Sequence, residues 1–558
     1  MVERIFKILY KEFSGLHQAA FLLGIFAIAS QTLALVRDRL FAHFLGAGTT
    51  LDLYYAAFRI PDFIFVSVAS LVSITVLIPL IIERMNDNEE KVKVLINNVF
   101  TAFLIGIILI SAVIFFLVPS LNAIIFSGFS NAEQDTLVVL TRILLLSPIL
   151  LGISNLFGSV TQTFRRFFVY ALSPVFYNIG IIAGMLFLYP LWGVTGLVWG
   201  VVFGALLHLA IQIPVIVKQG FLPKIIFSLN KQLLQRVILL SLPRTLGLSA
   251  HQIAFFVLIG LASLMVEGSI SIFSFSWNLQ SVPLAIIGVS YSVAAFPTLA
   301  RLFSNNEVDK FVKNILVATR HIFFWSLPVV VLFIVLRAQI VRTILGTGEF
   351  GWTETRLTAA ALALFVVSLV AQSLVLLFVR GYYAAGKTMK PLLVNILSAG
   401  GIIVSAYFLI NLFESSQFFK DFIEVLFRVE DIPGTSVLML PLAYSIGMLI
   451  NAIVLFFMFD RDFHTNAKTL YRTFWHSFSG AIVMGFVAYQ ALQYFDDIFD
   501  LETFMGIFLQ GFISGVIGII AGIILLRLMG SEELYEVGRS LHSKFWKARP
   551  VAPEQDEL

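Results

Sequence analysis

The chain has 558 residues, 59% of them hydrophobic and only 13% charged, with 37 Lys and Arg against 33 Asp and Glu. That charge content is about half the roughly 25% of a soluble domain, so neither a water-soluble globule nor a disordered chain fits. No cysteine is present, which excludes disulfides and thiolate metal sites, and there is no HExxH pattern and no glycine-rich phosphate loop. The composition leaves an all-α polytopic membrane protein, because apolar stretches of about 20 residues recur from end to end, unlike the short alternating strands of a barrel.

Residues 1–15 place Ile5, Ile8, Leu9 and Phe13 on one side and lack a small-residue cleavage site. They read as an interfacial amphipathic helix rather than a removable signal. Fourteen spans are predicted after it, near 16–36, 53–83, 94–119, 136–163, 168–189, 193–217, 234–262, 270–300, 314–336, 357–385, 391–411, 436–459, 473–494 and 503–526. Several are longer than a bilayer requires, which predicts tilts, kinks or ends outside the bilayer. With the N-terminus inside, the inner segments carry 25 Lys and Arg and the outer segments seven. The positive-inside rule therefore places both termini of a multi-pass membrane protein in the cytoplasm. The net charge of +4 sits in these loops and does not suggest nucleic acid. The polar tail 531–558 reads as exposed, and its Gln-Asp-Glu-Leu ending as a chance likeness to a retention signal.

An internal repeat organises the spans. Span 5 contains Pro174 to Asn178 and span 11 contains Pro391 to Asn395, both pairs offset by 217 residues; the prolines ending spans 2 and 8, Pro79 and Pro297, are 218 apart. A nearly constant offset predicts two six-helix lobes of the same orientation, 16–218 and 219–460, with a substrate site between them. Residues 461–530 then hold two extra spans.

Charges within spans are costly, about 2.5–3.5 kcal/mol by insertion scales, so each needs a reason. Spans 1 and 2 carry the densest set: Arg37, Asp38, Arg39, Asp52, Arg59 and Asp62. Asp52 and Arg59 share a helical face, and Arg59 and Asp62 are spaced to pair. Asp38, Asp52 and Asp62 read as ion-pair partners that lock the two helices, because carboxylates repel an anionic ligand. Arg37 and Arg59 read as cavity residues, and Arg39 as a boundary residue. Arg244, beside Pro243, either lines the cavity or bonds the carbonyl that the proline frees. Arg142 and Arg320 read as snorkelling, Arg380 and Lys387 as lining the inside mouth, and His208, His251 and His321 as isolated buried histidines. An excess of arginine suits phosphate oxygens, which its planar fork matches bidentately, so the residues point to export of an anionic, phosphate-bearing amphiphile. No cofactor is called for.

The segment Leu35-Val-Arg-Asp-Arg-Leu-Phe-Ala-His-Phe-Leu-Gly-Ala-Gly48, followed by Asp52 and Ala57-Phe-Arg-Ile-Pro-Asp62, resembles the signature of the MurJ/MviN lipid II flippases of the MOP exporter superfamily. Ser241-Leu-Pro-Arg-Thr-Leu-Gly-Leu248, Gly346-Thr-Gly-Glu-Phe350 and Arg380-Gly-Tyr-Tyr-Ala384 are similar to further family segments. The resemblance implies fourteen helices, a V-shaped cavity between two lobes, and a lipid-tail groove in the last two helices. It implies lipid II or a similar polyprenyl-diphosphate glycan as substrate, with membrane lipids and the cell-wall synthesis machinery as partners. Arg37 and Arg59 would be diphosphate ligands, and Asp38 and Asp52 functional acidic partners. Two departures stand out: Ser30-Gln31 replaces the family's Ser-Arg, and Ser276-Trp-Asn278 replaces its Ala-Asp-Arg. Gln31 and Asn278 thus occupy positions of family cavity arginines, and Arg244 is expected to replace the second in part.

A flippase for another lipid-linked glycan and a polytopic glycosyltransferase are the competing readings. The latter needs acid-base groups in a structured outer loop, and 412–435, with Glu414, Asp421, Glu424, Glu430 and Asp431, is the place for them. Its mixed charges read instead as a surface insertion.

Overall fold

The computed structural model describes residues 16–69, 74–85, 88–164, 166–465 and 468–545. The segment 1–15 and the tail beyond 545 lie outside the described residues. Helix prevails, and no strand occurs among the described residues.

Two compact units divide the chain: Met1–Val282 with Ile344–Phe365 and Lys387–Asn451, and Pro283–Thr343 with Val366–Gly386 and Ala452–Leu558. The first unit opens with α1 (Leu16–Leu45), α2 (Thr49–Ala57), α3 (Arg59–Ile64), a π-helical turn at Phe65–Ala69, and α4 (Ile74–Met85). It continues through α5 (Glu89–Ile125), α6 (Asn131–Leu144), α7 (Leu146–Thr163) and α8 (Phe167–Ala183). Then come α9 (Tyr189–Trp192), α10 (Val194–Ala210), α11 (Ile213–Lys218), α12 (Lys231–Ser263) and most of α13 (Ser269–Leu284). Local sequence sets these boundaries. Asn88 caps α5 through the amide of Glu90 at 3.0 Å, and Ser130 with Glu133 forms a reciprocal capping box on α6.

Helix α8, with the π-helical turn Gly184–Leu188 that continues it, approaches α10 backbone to backbone because glycine lines both sides. A Cβ on Gly180 would sit 2.2 Å from the Cα of Gly204, and one on Gly184 2.4 Å from the Cα of Gly200. Such small-residue faces let lipid-embedded helices gain dispersion contact where no hydrophobic force drives them together. Gly184→Val is expected to cost at least the ~1–3 kcal/mol of overpacking. It should lower the melting temperature in detergent, read by the loss of the monodisperse gel-filtration peak on heating. Gly400→Ala, where a Cβ meets nothing within 4 Å, is the neutral control.

The second unit contains a π-helical turn at Ala285–Val289, then α14 (Ser290–Ser304), α15 (Val308–Val335) and α16 (Arg337–Leu345). The intervening α17 (Trp352–Val367) belongs mainly to the first unit, and α18 (Leu369–Ala384) to the second. The first unit takes back α19 (Met389–Ser415) and α20 (Gln417–Phe427); α21 (Met439–Phe463) then leads to α22 (Lys468–Asp496), α23 (Phe504–Leu528) and α24 (Glu532–Phe545). In the second unit α15 packs on α14, α18 and α22, and α22 on α23. Arg320 does not snorkel: its guanidinium bonds Glu533 at 2.8 Å and Glu532 at 2.9 Å on α24. The beginning of the tail is therefore docked, with Glu533 only 2% exposed, and not free in solvent.

Ten helices among the described residues are long and apolar enough to cross a membrane, or eleven with α17 and α18 taken together. Their outer faces expose large apolar side chains such as Phe116, Phe187 and Val404, as a lipid solvent requires. The segment 412–435 is folded rather than a loose insertion. Its α20 is capped by Ser416, Glu424 is buried and accepts from Thr435 at 2.6 Å, and Asp431 pairs with Arg356 at 2.7 Å. The Arg356 guanidinium, by bonding Asp431, holds that carboxyl below the usual carboxylate range.

Candidate cavity and its charged rim

The breaks between α1 and α2 and between α12 and α13 each place an acidic residue near a helix start. Asp52, 4% exposed, accepts from the amide of Gly268 at 2.8 Å and from the amide and hydroxyl of Ser271 at 2.7 and 2.5 Å. It thereby caps the start of α13, where orphan N–H groups and the helix dipole favour a carboxylate. Glu267 returns the favour: its carboxylate accepts from the amide of Thr49 at 2.9 Å and from its hydroxyl at 2.5 Å, capping α2. The Thr49 hydroxyl, and then its amide, hold the Glu267 carboxyl below its ordinary range. The two helix starts are thus clamped by exchange of acidic caps.

Further along α1, Asp38 is 2% exposed and bridges two partners. One oxygen accepts from Arg37 Nε at 3.0 Å and Nη2 at 2.8 Å; the other accepts from Asn278 Nδ2 at 3.0 Å. Arg37 also donates to Asn178 at 3.3 Å, and Asn178 reaches the Ser30 hydroxyl at 3.2 Å. Arg37 is therefore spent on a network joining α1, α8 and α13, and it is not among the residues that line the cavity.

That cavity, of about 270 Å³, is lined by Arg59, Asp62 and Tyr55 from α2 and α3, by His251, Gln252 and Phe255 from α12, and by Phe273, Ser274, Trp277 and Asn278 from α13. Arg59, the first residue of α3, donates Nε to the carbonyl of Tyr55 in α2, 3.2 Å away. Its terminal NH₂ fork has no protein partner among the described residues. The spacing that suggested an Arg59–Asp62 pair is not realised: both face the cavity, and no ion pair joins them among the described residues. One wall is aromatic, with the Trp277 ring 4.5 Å from Phe255 and 5.2 Å from Tyr444, both edge-on.

Of the residues expected from sequence, the structure brings Arg59, Asp62 and Asn278 to this cavity and ties Arg37 and Asp38 to its rim through Asn278. Asp52 lies apart from it, as a cap. Gln31 is half-buried on α1 and does not line the cavity. Arg244 lies on α12, with its side chain outside the described residues. Arg380 donates to the Ser292 hydroxyl at 2.8 Å, and Lys387 is exposed. His251 is a cavity residue rather than an isolated buried one, and its Nε2 lies 3.4 Å from the Tyr444 hydroxyl. Sequence reasoning missed Glu267, Gln252 and Trp277 as site residues. The repeat carried a signal for the first, since Glu267 lies 218 residues after Thr49.

A family model described as lipid II flippase MurJ matches residues 41–510. A protein of Haemophilus influenzae named "Probable lipid II flippase MurJ" is 28% identical over 391 residues, covering 66% of this chain and 76% of that protein. A solved structure titled lipid II flippase MurJ, inward closed conformation, superposes with a TM-score of 0.71 at 22% identity, over 93% of this chain and all of that one. An inward-facing multidrug MATE transporter of the MOP superfamily follows at 0.64 and 18%, over 79% of this chain and 96% of its own.

Proposed function

Because the chain belongs to the lipid II flippase MurJ family, we propose that it carries lipid II, a polyprenyl-diphosphate-linked peptidoglycan precursor, from the inner to the outer leaflet by alternating access. No bond is made or broken, so the protein is a transporter and not an enzyme. The acidic residues that a glycosyltransferase reading would use in 412–435 include Glu424 and Asp431, both already engaged in holding that segment. The observation that carries the proposal is the fork of Arg59, which faces the cavity and makes no hydrogen bond or ion pair among the described residues, because a guanidinium with its fork open suits a bidentate phosphate. The test is translocation of labelled lipid II in cells depleted of their own flippase. Membrane insertion without translocation would overturn it.

The wider organisation belongs to the same proposal. Fourteen spans, an interfacial helix at 1–15, lobes at 16–218 and 219–460, a lipid-tail groove at 461–530 and a cytoplasmic tail at 531–558 make a multi-pass inner-membrane protein with both ends inside. Two features support the lobes. The exchanged caps pair Thr49 with Glu267 and Asp52 with Ser271, 218 and 219 residues apart, and two of the three π-helical turns among the described residues, Phe65–Ala69 and Ala285–Val289, are offset by 220. π-Helical turns are frequent at functional sites and bend points. Partners in cell-wall synthesis would meet the product on the outer face.

Position 278 offers a direct check. Asn278→Arg puts a guanidinium against Asp38, whose second oxygen now takes the Asn278 amide. The new charge would be paired and would face a polar cavity instead of lipid, which costs far less. The variant should fold, and undecaprenyl diphosphate should bind it about tenfold more tightly at low salt, an advantage that shrinks as salt rises. Native mass spectrometry across a salt series reads this, and weaker binding at every salt would contradict it.

A further inference from the structure

The short helix α20, which follows α19, is apolar over more of its surface than the protein covers. At 3.6 residues per turn its side chains fall into three sectors. One is turned to the protein: Ile423 and Glu424 are buried, the Glu424 carboxylate accepts from Thr435, and Phe419 meets Phe413 of α19 edge-on with ring centres 6.4 Å apart. A second is polar: Gln417 donates to Asp421 at 2.7 Å, one turn on, and both are exposed. The third is apolar and bare. Phe418, Phe422, Val425 and Leu426, at the i, i+4, i+7, i+8 spacing of one face, are 83, 54, 60 and 55% exposed. A surface helix between protein and water needs only one apolar side, so the third sector calls for an apolar solvent of its own.

Continuity says which solvent that is. On α19 the side chains of Leu397, Val404, Tyr407 and Phe408 are between 57 and 74% exposed, a band that only lipid can cover in a membrane-spanning helix. The 27 residues of α19 extend about 40 Å, against a hydrocarbon core of roughly 30 Å, so its far end reaches headgroup level. Ser416 alone, in extended conformation, separates that end from α20. A tryptophan stands beside the same segment: Trp352, 53% exposed, lies one turn before Arg356 on α17, and Arg356 bonds Asp431 and the carbonyl of Arg428 at the end of α20. Exposed tryptophan is typical of the membrane–water boundary. We infer that α20 is a membrane-surface helix: Phe418, Phe422, Val425 and Leu426 are bedded in the lipid leaflet at the end of α19, and Gln417 and Asp421 are turned to the water. The occupant is lipid and not a second copy of the chain, because the bare face prolongs a band that the bilayer already covers. Through α19 and the Arg356–Asp431 pair, the helix fastens the ends of two spans to the bilayer surface. In the topology proposed above, that surface is the outer leaflet.

The test uses the absence of native cysteine, which lets single introduced thiols carry a nitroxide without background. Phe418→Cys, Phe422→Cys and Val425→Cys sample the bare face, Asp421→Cys the polar one, and Val404→Cys the lipid-facing band. Each full-length variant is labelled and reconstituted into vesicles of phosphatidylethanolamine and phosphatidylglycerol. Power saturation then compares collision with oxygen, which concentrates in lipid, and with a nickel chelate, which stays in water. Labels at 418, 422 and 425 should favour oxygen and read a depth of about 5–10 Å into the headgroup–acyl boundary. The label at 404 should read deeper, and the label at 421 should favour nickel. Nickel preference at all three face positions overturns the inference, because the face is then in water. Low access to both relaxers also overturns it and shows a protein cover, which in purified vesicles is a second copy of the chain. Three positions sample one face, so the remaining two decide should one variant fail to fold. No outcome bears on the transported substrate, so the flippase reading stands or falls separately.

Discussion

Arg59→Ala is expected to abolish lipid II translocation while leaving insertion and thermal stability near wild type. The stability half of the expectation follows from the bonding: Nε gives one local bond to the carbonyl of Tyr55, four residues back across the α2–α3 junction, and among the described residues the fork holds no other element. Losing one local, part-buried bond costs about 1 kcal/mol. The transport half follows from the ligand. Each charge-assisted bond to phosphate is worth about 1.5–3 kcal/mol, so removing a bidentate pair lowers affinity by roughly two to four orders of magnitude. Arg59→Lys should restore little, because an ammonium presents a point charge where a planar fork is required. Complementation of a flippase-depleted strain, with membrane fractionation for expression, measures both halves. Full growth on the Ala variant would remove Arg59 from the site.

Much of this site was legible in the sequence, and the reasons are physical. Arg59 and Asp62 announced themselves because ions in apolar spans are rare and costly. The all-helical membrane class followed from the scarcity of charge. The roles of Arg37 and Asp52 were less legible, since a charge in a span does not declare whether it answers a ligand or another helix. Arg37 is held by Asp38 and Asn178, residues 141 positions apart from it in the second case, and no local pattern encodes that bond. Trp277 and Gln252 were silent for the opposite reason, because an indole or an amide in a helix carries no penalty that demands an explanation. Arg320 was misplaced because its partners, Glu532 and Glu533, lie in a tail read as exposed, although Leu534, Val537 and Leu541 give that tail an apolar stripe at helical spacing.

Asp52→Ala should be the most destabilising single substitution at this end of the protein, and the geometry sets its size. The change leaves the amides of Gly268 and Ser271 and the hydroxyl of Ser271 without their acceptor at a helix start where the Asp52 side chain is buried. Two or three orphaned donors at about 1–3 kcal/mol each, with relaxation and water recovering part, give a loss of about 2–4 kcal/mol. Asp52→Asn keeps the volume and one acceptor oxygen, and it turns the other acceptor into a donor facing an N–H, so it should lie between wild type and Ala. The partner cap supplies an internal comparison. Glu267→Gln keeps an oxygen for Thr49, and Glu267 is exposed, so its loss should be the smaller of the two. Because each acid caps the helix that carries the other, the substitutions should couple. The double variant should lose less than the separate losses combined, by about 0.5–1 kcal/mol, since breaking one cap already frees the facing helix start. Thermal unfolding of the four proteins in one detergent reads the cycle. Strict additivity would mean that the two caps act independently, and that the reciprocal arrangement does not join α2 to α13 as a cooperative unit.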